Sequence, residues 1–178
     1  MRFCGICYRG HDPKWAFSPL SGEGARRKGG RFNPVGQDAL YLALTIEGLF
    51  LEQGHGLAHR FDPLTVCSYD VDMADIVDLR TAPARAKVGV TIKQLSCPWA
   101  LDVAEGRQPA SWTLAAKLLQ DGAAGLLVPS FARGARADRH HNLVLWKWGP
   151  DPPHRVTVHD PAFRASWPIA RRTNVPSQ

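Results

Sequence analysis

The 178-residue sequence lacks any apolar run approaching the roughly 20 residues that a membrane-spanning helix needs. Residues 1–10 are too few and too polar to form the core of a secretory signal peptide. No short period runs through the chain, which excludes collagen-like and coiled-coil proteins. From these absences we expect a soluble protein of the cytoplasm.

Cysteine is scarce, with four residues at Cys4, Cys7, Cys67 and Cys97. The even number is compatible with two disulfides, but in a cytoplasmic protein we expect free thiols. The Cys4-x-x-Cys7 spacing matches half of a zinc site. Both residues lie in a predicted strand, however, where side chains three positions apart face opposite sides. Because the sequence has no second such pair, we expect no metal site.

Acidic residues are outnumbered, since 22 Lys and Arg stand against 16 Asp and Glu and give a formal net charge of +6. This excess favours anionic partners such as a nucleotide or an acidic protein. The sequence shows no DNA-reading motif and no basic stripe interleaved with aromatic residues, so we expect no direct contact with nucleic acid. A non-enzymatic module that binds anions is one function that the charge leaves open.

Turn-forming residues are abundant, with 16 glycines and 14 prolines, and they predict short elements. The 44% of hydrophobic residues suffices for one globular core. We therefore predict a single α+β domain over residues 1–165, followed by a basic tail at 166–178. The predicted strands comprise residues 3–9, 39–43, 65–71, 76–79, 125–129, 142–148 and 155–159.

Two predicted helices have recognisable starts. Thr45 is a suitable N-cap for a helix that runs to about residue 57, with Ile46, Leu49 and Phe50 on its apolar face. Ser111 is a suitable N-cap for a second helix. Shorter helical pieces are predicted at residues 82–87 and 91–95.

The segment between residues 21 and 52 carries the most informative polar residues. Two glycines precede Arg31 and would let the backbone approach a ligand closely. The Arg31 guanidinium is a planar fork of donors suited to phosphate. Tyr41 offers a ring for a flat heterocycle, and Glu52 offers a carboxylate for a sugar. A cation, an aromatic ring and a carboxylate are the groups needed to hold a dinucleotide and break a glycosidic bond.

The sequence resembles the RES-domain family of bacterial toxins, which takes its name from an Arg, a Glu and a Ser. These map to Arg31, Glu52 and Ser130. Phe32 stands where the family more often has Trp. The motifs that carry the resemblance are Tyr8-Arg9, Gly29-Gly30-Arg31-Phe32-Asn33-Pro34, Gly36, Tyr41-Leu42-Ala43, Glu52, Gly125-Leu126-Leu127-Val128-Pro129-Ser130 and Asn142-Leu143-Val144-Leu145.

This resemblance implies a fold like the ADP-ribosyltransferase catalytic core, with NAD as a consumed substrate and no metal. It implies a toxin that cleaves the nicotinamide–ribose bond and transfers ADP-ribose to a protein, with phosphoribosyl pyrophosphate synthetase as one such acceptor. The alternative is an NAD glycohydrolase or phosphorylase without a protein acceptor. The implied partner is a helix-turn-helix antitoxin.

The resemblance also assigns roles to the matched residues. Glu52 would stabilise the positive charge that develops on the ribose, while Tyr41 would stack on nicotinamide. Arg31, helped by Arg9, would bind the pyrophosphate, and Ser130 would orient Glu52. Because no G-x-S-x-G turn surrounds Ser130, we do not assign it as a nucleophile. The remaining residues expected to bind or orient NAD are Gly30 and Asn142.

A loop at residues 133–141 is rich in Arg and His. It fits either a mobile rim that selects the acceptor or meets the antitoxin, or a disordered surface loop. His140 and His141 have no third ligand at a suitable spacing, so we expect no metal there.

Overall fold

The computed structural model describes residues 1–54 and 63–159. The predicted tail at 166–178 lies outside the described residues, as does the predicted end of a helix near residue 57. The described part forms one seven-stranded sheet with helices packed on it, which confirms the α+β class. The strands are β1 (Phe3–His11), β2 (Leu40–Ala43), β3 (Thr65–Met73), β4 (Ile76–Asp78), β5 (Gly125–Pro129), β6 (His141–Leu145) and β7 (His154–Val158).

The strands follow the order β4-β5-β6-β2-β1-β3-β7 across the sheet. All neighbouring pairs are antiparallel except β4 and β5, which are parallel. Strands β4 and β7 form the two edges of the sheet. The order places β2 between β1 and β6, so residues far apart in the sequence meet at the centre of the sheet.

The sheet has a hydrophobic core on each face. The side chains of β5 alternate between these two cores. All five residues of β5 are buried, as expected for a strand covered on both sides. Leu126 and Val128 pack into one cluster, while Leu127 packs into the other. The first cluster is closed by Leu114 and Leu118 of a helix that lies on that face.

The helices are short, in keeping with the many glycines and prolines. Thr45 caps the second of them, because its side chain accepts a hydrogen bond from the Gly48 amide. Thr81 caps the third in the same way. The α-helices are α1 (Glu23–Lys28), α2 (Ile46–Gln53), α3 (Ala82–Lys87), α4 (Ile92–Leu95), α5 (Trp99–Ala104) and α6 (Ala110–Gln120), and a 3₁₀ turn spans Pro13–Trp15.

Two expectations about helices are wrong. Ser111 is not an N-cap, since the N-cap of α6 is Pro109, two residues earlier, and Ser111 is fully buried inside the first turn of the helix. The prediction of one apolar face on α2 is also wrong. Leu49 is buried, but Ile46 and Phe50 are about half exposed, so the apolar residues of α2 do not form one buried face.

The two cysteines of the C-x-x-C motif lie on opposite sides of β1. Cys4 is exposed and Cys7 is fully buried in the core. The expected divergence of the two sulfur atoms is therefore confirmed, and none of the four cysteines forms a disulfide. This geometry prevents the two side chains from ligating one zinc ion.

Candidate active site

A cavity of about 510 Å³ opens on the face of the sheet that α6 covers. Val128 and Val144 of the core cluster form its floor, and Tyr41 packs beside them. Most of the predicted site residues reach this cavity. The residues that line it are Arg9, Gly24, Ala25, Gly29, Gly30, Arg31, Phe32, Tyr41, Glu52, Trp99, Val128, Phe131, Asn142 and Val144.

Glu52 lies in the last turn of α2, and two side chains from another part of the chain fix its carboxylate. The Ser130 hydroxyl, just after β5, donates a hydrogen bond to Oε1 at 2.5 Å. The Asn142 amide, near the start of β6, donates to the same oxygen at 2.5 Å. Since both donors reach one carboxylate oxygen, the orientation of the group is set before any ligand enters.

Asn142 also presents a second polar atom. Its side-chain carbonyl oxygen is buried and has no hydrogen-bond partner among the described residues. Because a buried acceptor without a donor is unfavourable, a ligand hydroxyl reaching this atom would be stabilised.

Arg31 borders the cavity with part of its guanidinium already bound. Its Nη1 donates to the carbonyl oxygens of Cys97 at 2.6 Å and Leu95 at 3.4 Å, and its planar group lies 5.0 Å from the centroid of the Phe131 ring. Among the described residues, the remaining three N–H groups have no hydrogen-bond partner. Burial lowers the pKa of Arg31, and the negative charge of Glu52 offsets part of that effect.

Tyr41 uses its hydroxyl within the protein, so only its ring is offered to the cavity. The hydroxyl accepts a hydrogen bond from the Phe32 amide at 2.9 Å and donates to the Asn33 side chain at 2.7 Å. Burial raises the pKa of Tyr41. A Cβ on Gly30 would lie 2.6 Å from this hydroxyl, so glycine is needed there for packing against Tyr41 and not only for a ligand.

Arg9 lies near the far end of β1 and is anchored to the loop that precedes α1. Its Nη1 donates to the carbonyl oxygens of Pro19 at 3.1 Å and Ser21 at 2.9 Å. Burial lowers the pKa of Arg9. Besides the main cavity, Arg9 borders two neighbouring cavities of about 250 and 460 Å³.

The model of the RES domain matches residues 6–168, which is most of the chain. This chain belongs to the RES-domain family. Among solved structures, it is similar to a chain of the MbcT–MbcA toxin–antitoxin complex of M. tuberculosis, with 26% sequence identity and a TM-score of 0.59. That similarity covers 90% of this chain and 84% of the other. Among curated protein sequences, none matches this chain.

In this RES domain, Arg31 and Glu52 line one cavity, and Ser130 adjoins it through its hydrogen bond to Glu52. Sequence position gives no hint of the contact, because 78 residues separate Glu52 from Ser130. The antiparallel pairing of β5 with β6 is what brings Ser130 and Asn142 to the same carboxylate.

Several residues that shape the site were not predicted. Asn33 is fully buried, and its amide nitrogen donates to three carbonyls that fold the turn after Arg31. Ser111 donates to the Arg31 carbonyl at 2.5 Å, and the Trp112 indole donates to the Gly30 carbonyl at 2.8 Å. A hint was available for Asn33 alone, because it belongs to the Gly-Arg-Phe-Asn motif.

The loop at residues 133–141 packs on α2. The Arg136 amide donates to the ring of His140, which is 2% exposed, and Arg139 pairs with Glu47 at 3.4 Å. These contacts do not fit a disordered surface loop. A role in selecting an acceptor or meeting an antitoxin stays a prediction.

Within residues 1–54 and 63–159, no three His, Cys, Asp or Glu side chains come together in a way that would hold a metal ion. Across the same residues, every helix is too short or too polar to span a bilayer.

Proposed function

We propose that this RES domain cleaves the nicotinamide–ribose bond of NAD as the toxin component of a bacterial toxin–antitoxin pair. The observation that carries the proposal is the carboxylate of Glu52, held by Ser130 and Asn142 on the wall of a cavity that Arg31 and Tyr41 also line. A cavity of about 510 Å³ is within the range of about 300–1,000 Å³ that is usual for small-molecule sites.

The chemistry proposed for Glu52 follows from the charge that develops during the reaction. As the bond from the ribose C1′ to the pyridinium nitrogen breaks, its electron pair leaves with nicotinamide, which becomes neutral. Positive charge then develops on the ribose. A carboxylate held beside that carbon stabilises the charge without having to reorient at the moment of reaction.

The neighbours of Glu52 have supporting roles in this proposal. Ser130 and Asn142 orient the carboxylate, and the Asn142 carbonyl accepts a hydrogen bond from a ribose hydroxyl. The ring of Tyr41, fixed through its hydroxyl, stacks on nicotinamide. Arg31 and Arg9 bind the pyrophosphate through the planar array of their N–H groups.

The group that attacks C1′ defines the second half of the reaction. We propose a protein acceptor, whose nucleophile supplies an electron pair to C1′ and releases its proton, with phosphoribosyl pyrophosphate synthetase as the first candidate to test. Attack by water or phosphate would instead make the protein an NAD glycohydrolase or phosphorylase. Both outcomes share the cleavage step at Glu52.

A partner antitoxin of helix-turn-helix type and a cytoplasmic location complete the proposal. The similarity to a chain of a toxin–antitoxin complex supports the partner. NAD is abundant in the cytoplasm, where a toxin that consumes it would act.

The deciding experiment incubates the protein with NAD labelled in its adenosine half, with and without the candidate acceptor. Glu52→Gln keeps the size of the side chain and removes its charge, so we expect loss of nicotinamide release while NAD still binds. Glu47→Gln is the matched control for nicotinamide release, since Glu47 lies on the same helix but is exposed and lines none of the three cavities that Arg9 borders.

Label on the acceptor protein supports transfer, and free ADP-ribose or its phosphate shows cleavage without a protein acceptor. Intact NAD with the parent protein would overturn the proposal and favour a non-enzymatic anion-binding module. Turnover by Glu52→Gln at the parental rate would overturn the role of Glu52 alone.

A further inference from the structure

A second cavity, of about 460 Å³, adjoins the proposed NAD cavity. The two share Arg9 and Gly24 in their walls. We call it the aromatic cavity, and the residues that line it are Arg9, His11, Lys14, Trp15, Phe17, Ser18, Ser21, Glu23, Gly24, Arg27 and Lys28. None of the catalytic roles proposed above uses Trp15, Phe17 or Lys28.

Two aromatic rings in this cavity are exposed to an unusual degree for their size. The side chains of Trp15 and Phe17 are 46% and 62% exposed. Their ring centroids lie 6.1 Å apart at an interplanar angle of 44°, so the two rings form a tilted pair that still leaves much of each exposed. Exposed aromatic rings grouped at the edge of a cavity are typical of a binding site for a flat heterocycle.

The same cavity is positively charged. Four cationic side chains line it, namely Arg9, Lys14, Arg27 and Lys28, against the single carboxylate of Glu23. Arg27 pairs with Glu23 and Lys14 pairs with Asp12, each at 2.5 Å, whereas Lys28 has no ion-pair partner among the described residues. A ligand that combines an aromatic base with phosphate complements this surface in both shape and charge.

His11 adds an unpartnered polar group. Both nitrogens of its imidazole are buried and have no hydrogen-bond partner among the described residues. Burial and the charge of Arg9 lower the pKa of His11, so the ring is neutral near pH 7. A neutral imidazole can both accept and donate a hydrogen bond, which suits the ring nitrogens of a base or a ribose hydroxyl.

We propose that the aromatic cavity binds the adenosine half of NAD, while the cavity beside Glu52 holds the nicotinamide half. Arg9 lies in the wall between the two cavities, where the pyrophosphate of a dinucleotide spanning them would pass. The adenine then stacks on Trp15 or Phe17, with Lys28 near its phosphate. This inference rests on the proposed function, because it assigns the two ends of the same substrate.

Continuity between the cavities favours this ligand over an acidic peptide of a partner protein. A peptide bound to Trp15 and Phe17 would have no need of a passage past Arg9 towards Glu52. A dinucleotide needs such a passage, because its two heterocycles are joined by a pyrophosphate.

The test compares ligands that have or lack the adenosine half. All variants are made in the Glu52→Gln protein, so that bound NAD is not consumed, and calorimetry measures binding of NAD, ADP and nicotinamide mononucleotide. We expect Trp15→Ala and Phe17→Ala to weaken NAD and ADP binding by about tenfold, the usual loss for one base–aromatic stack. Binding of the mononucleotide should change by less than about twofold. Such a result would also show that the cavity beside Glu52 remains folded in these variants.

Phe50→Ala is the matched control, since Phe50 is 55% exposed but lines neither cavity, and it should leave all three affinities unchanged. Lys28→Glu provides a second variant and should weaken ADP binding without affecting the mononucleotide. Unchanged NAD binding in both aromatic variants would overturn the inference and assign the surface to another partner. Equal weakening of NAD and mononucleotide would also overturn it. Either result leaves the proposed cleavage at Glu52 intact, because that is tested by turnover of the parent protein.

Discussion

The carboxylate of Glu52 accepts two hydrogen bonds at one oxygen, and this arrangement allows the effect of removing one donor to be predicted. Ser130→Ala removes one donor and leaves Asn142 to hold the group, so the carboxylate stays near the cavity but is less well oriented. A hydrogen bond to a charged group contributes about 1.5–3 kcal/mol, so we expect kcat for NAD cleavage to fall by about tenfold to a hundredfold while KM changes little.

Steady-state kinetics of nicotinamide release measure this effect. Ser96→Ala is the control, since the Ser96 hydroxyl donates only to a carbonyl one helical turn back, and it should leave kcat unchanged. An unaltered kcat in Ser130→Ala would show that the Ser130 hydroxyl is not needed to orient Glu52.

The guanidinium of Arg31 allows a second prediction about a single residue. Its Nη1 is hydrogen-bonded to the protein, while its other N–H groups remain available to a ligand in the cavity. Arg31→Lys retains the positive charge and can still reach the Cys97 carbonyl, but it loses the planar fork. We expect the Kd for NAD in the Glu52→Gln background to rise by about tenfold. The control is Arg26→Lys on α1, which lies outside both proposed NAD cavities. An unchanged Kd would show that Arg31 does not bind the pyrophosphate.

At the scale of elements, α2 is held to the fold by few apolar contacts. Gly48 and Leu49 are its buried residues, so the Thr45 cap contributes a large share of its stability. Thr45→Ala should lower the free energy of unfolding by about 1 kcal/mol and Tm by about 3 °C. Turnover at 25 °C should be unchanged, since Ser130 and Asn142 hold Glu52 independently of the cap.

Thermal unfolding followed by circular dichroism tests this expectation, and Thr81→Ala is the matched variant. Thr81 caps α3, which carries no proposed site residue, and the loss of Tm should be similar. A marked fall in turnover for Thr45→Ala alone would mean that the cap, and not the two donors, positions Glu52.

Elements with a strong local signal were predictable from the sequence. Strand β5 is an unbroken apolar run and is found where predicted, and the cap at Thr45 follows from the side-chain preference of that position. Helix α1 was missed, because its residues are polar and it has no buried residue that would give a helical pattern. Ser111 was misassigned since its partner, the Arg31 carbonyl, is 80 residues away.

In the candidate site, too, residues with a sequence signal were predicted, while contacts between distant residues were not. Arg31, Glu52 and Ser130 could be named because the sequence resembles the RES-domain family, but local sequence gives no means of predicting that Ser130 touches Glu52. The use of the Tyr41 hydroxyl within the protein was equally hidden, since it depends on the fold of the turn that brings Asn33 beside it. Contacts of this kind are set by strand order and register.

At the scale of the whole molecule, three buried acidic groups make stability depend on pH. Burial raises the pKa of the Cys7 thiol to about 12 and also raises the pKa values of Tyr41 and Tyr69. In the unfolded chain these groups lose their protons near pH 9 to 10, whereas in the folded protein they retain them. The unfolded state therefore binds fewer protons in alkaline solution, and stability must fall as pH rises.

We expect this loss to amount to about 2 kcal/mol between about pH 8 and pH 10, of which Cys7 supplies the largest part because its unfolded pKa is the lowest of the three. Urea unfolding at the two pH values measures it. Cys7→Ala removes one titrating group, so its stability should be lower at pH 8 but should fall by only about 1 kcal/mol over the same interval. Equal losses of stability in the variant and the parent would mean that Cys7 titrates in the folded protein as it does in the unfolded chain. Burial of its thiol would then not raise its pKa, and this explanation of the pH dependence would be wrong.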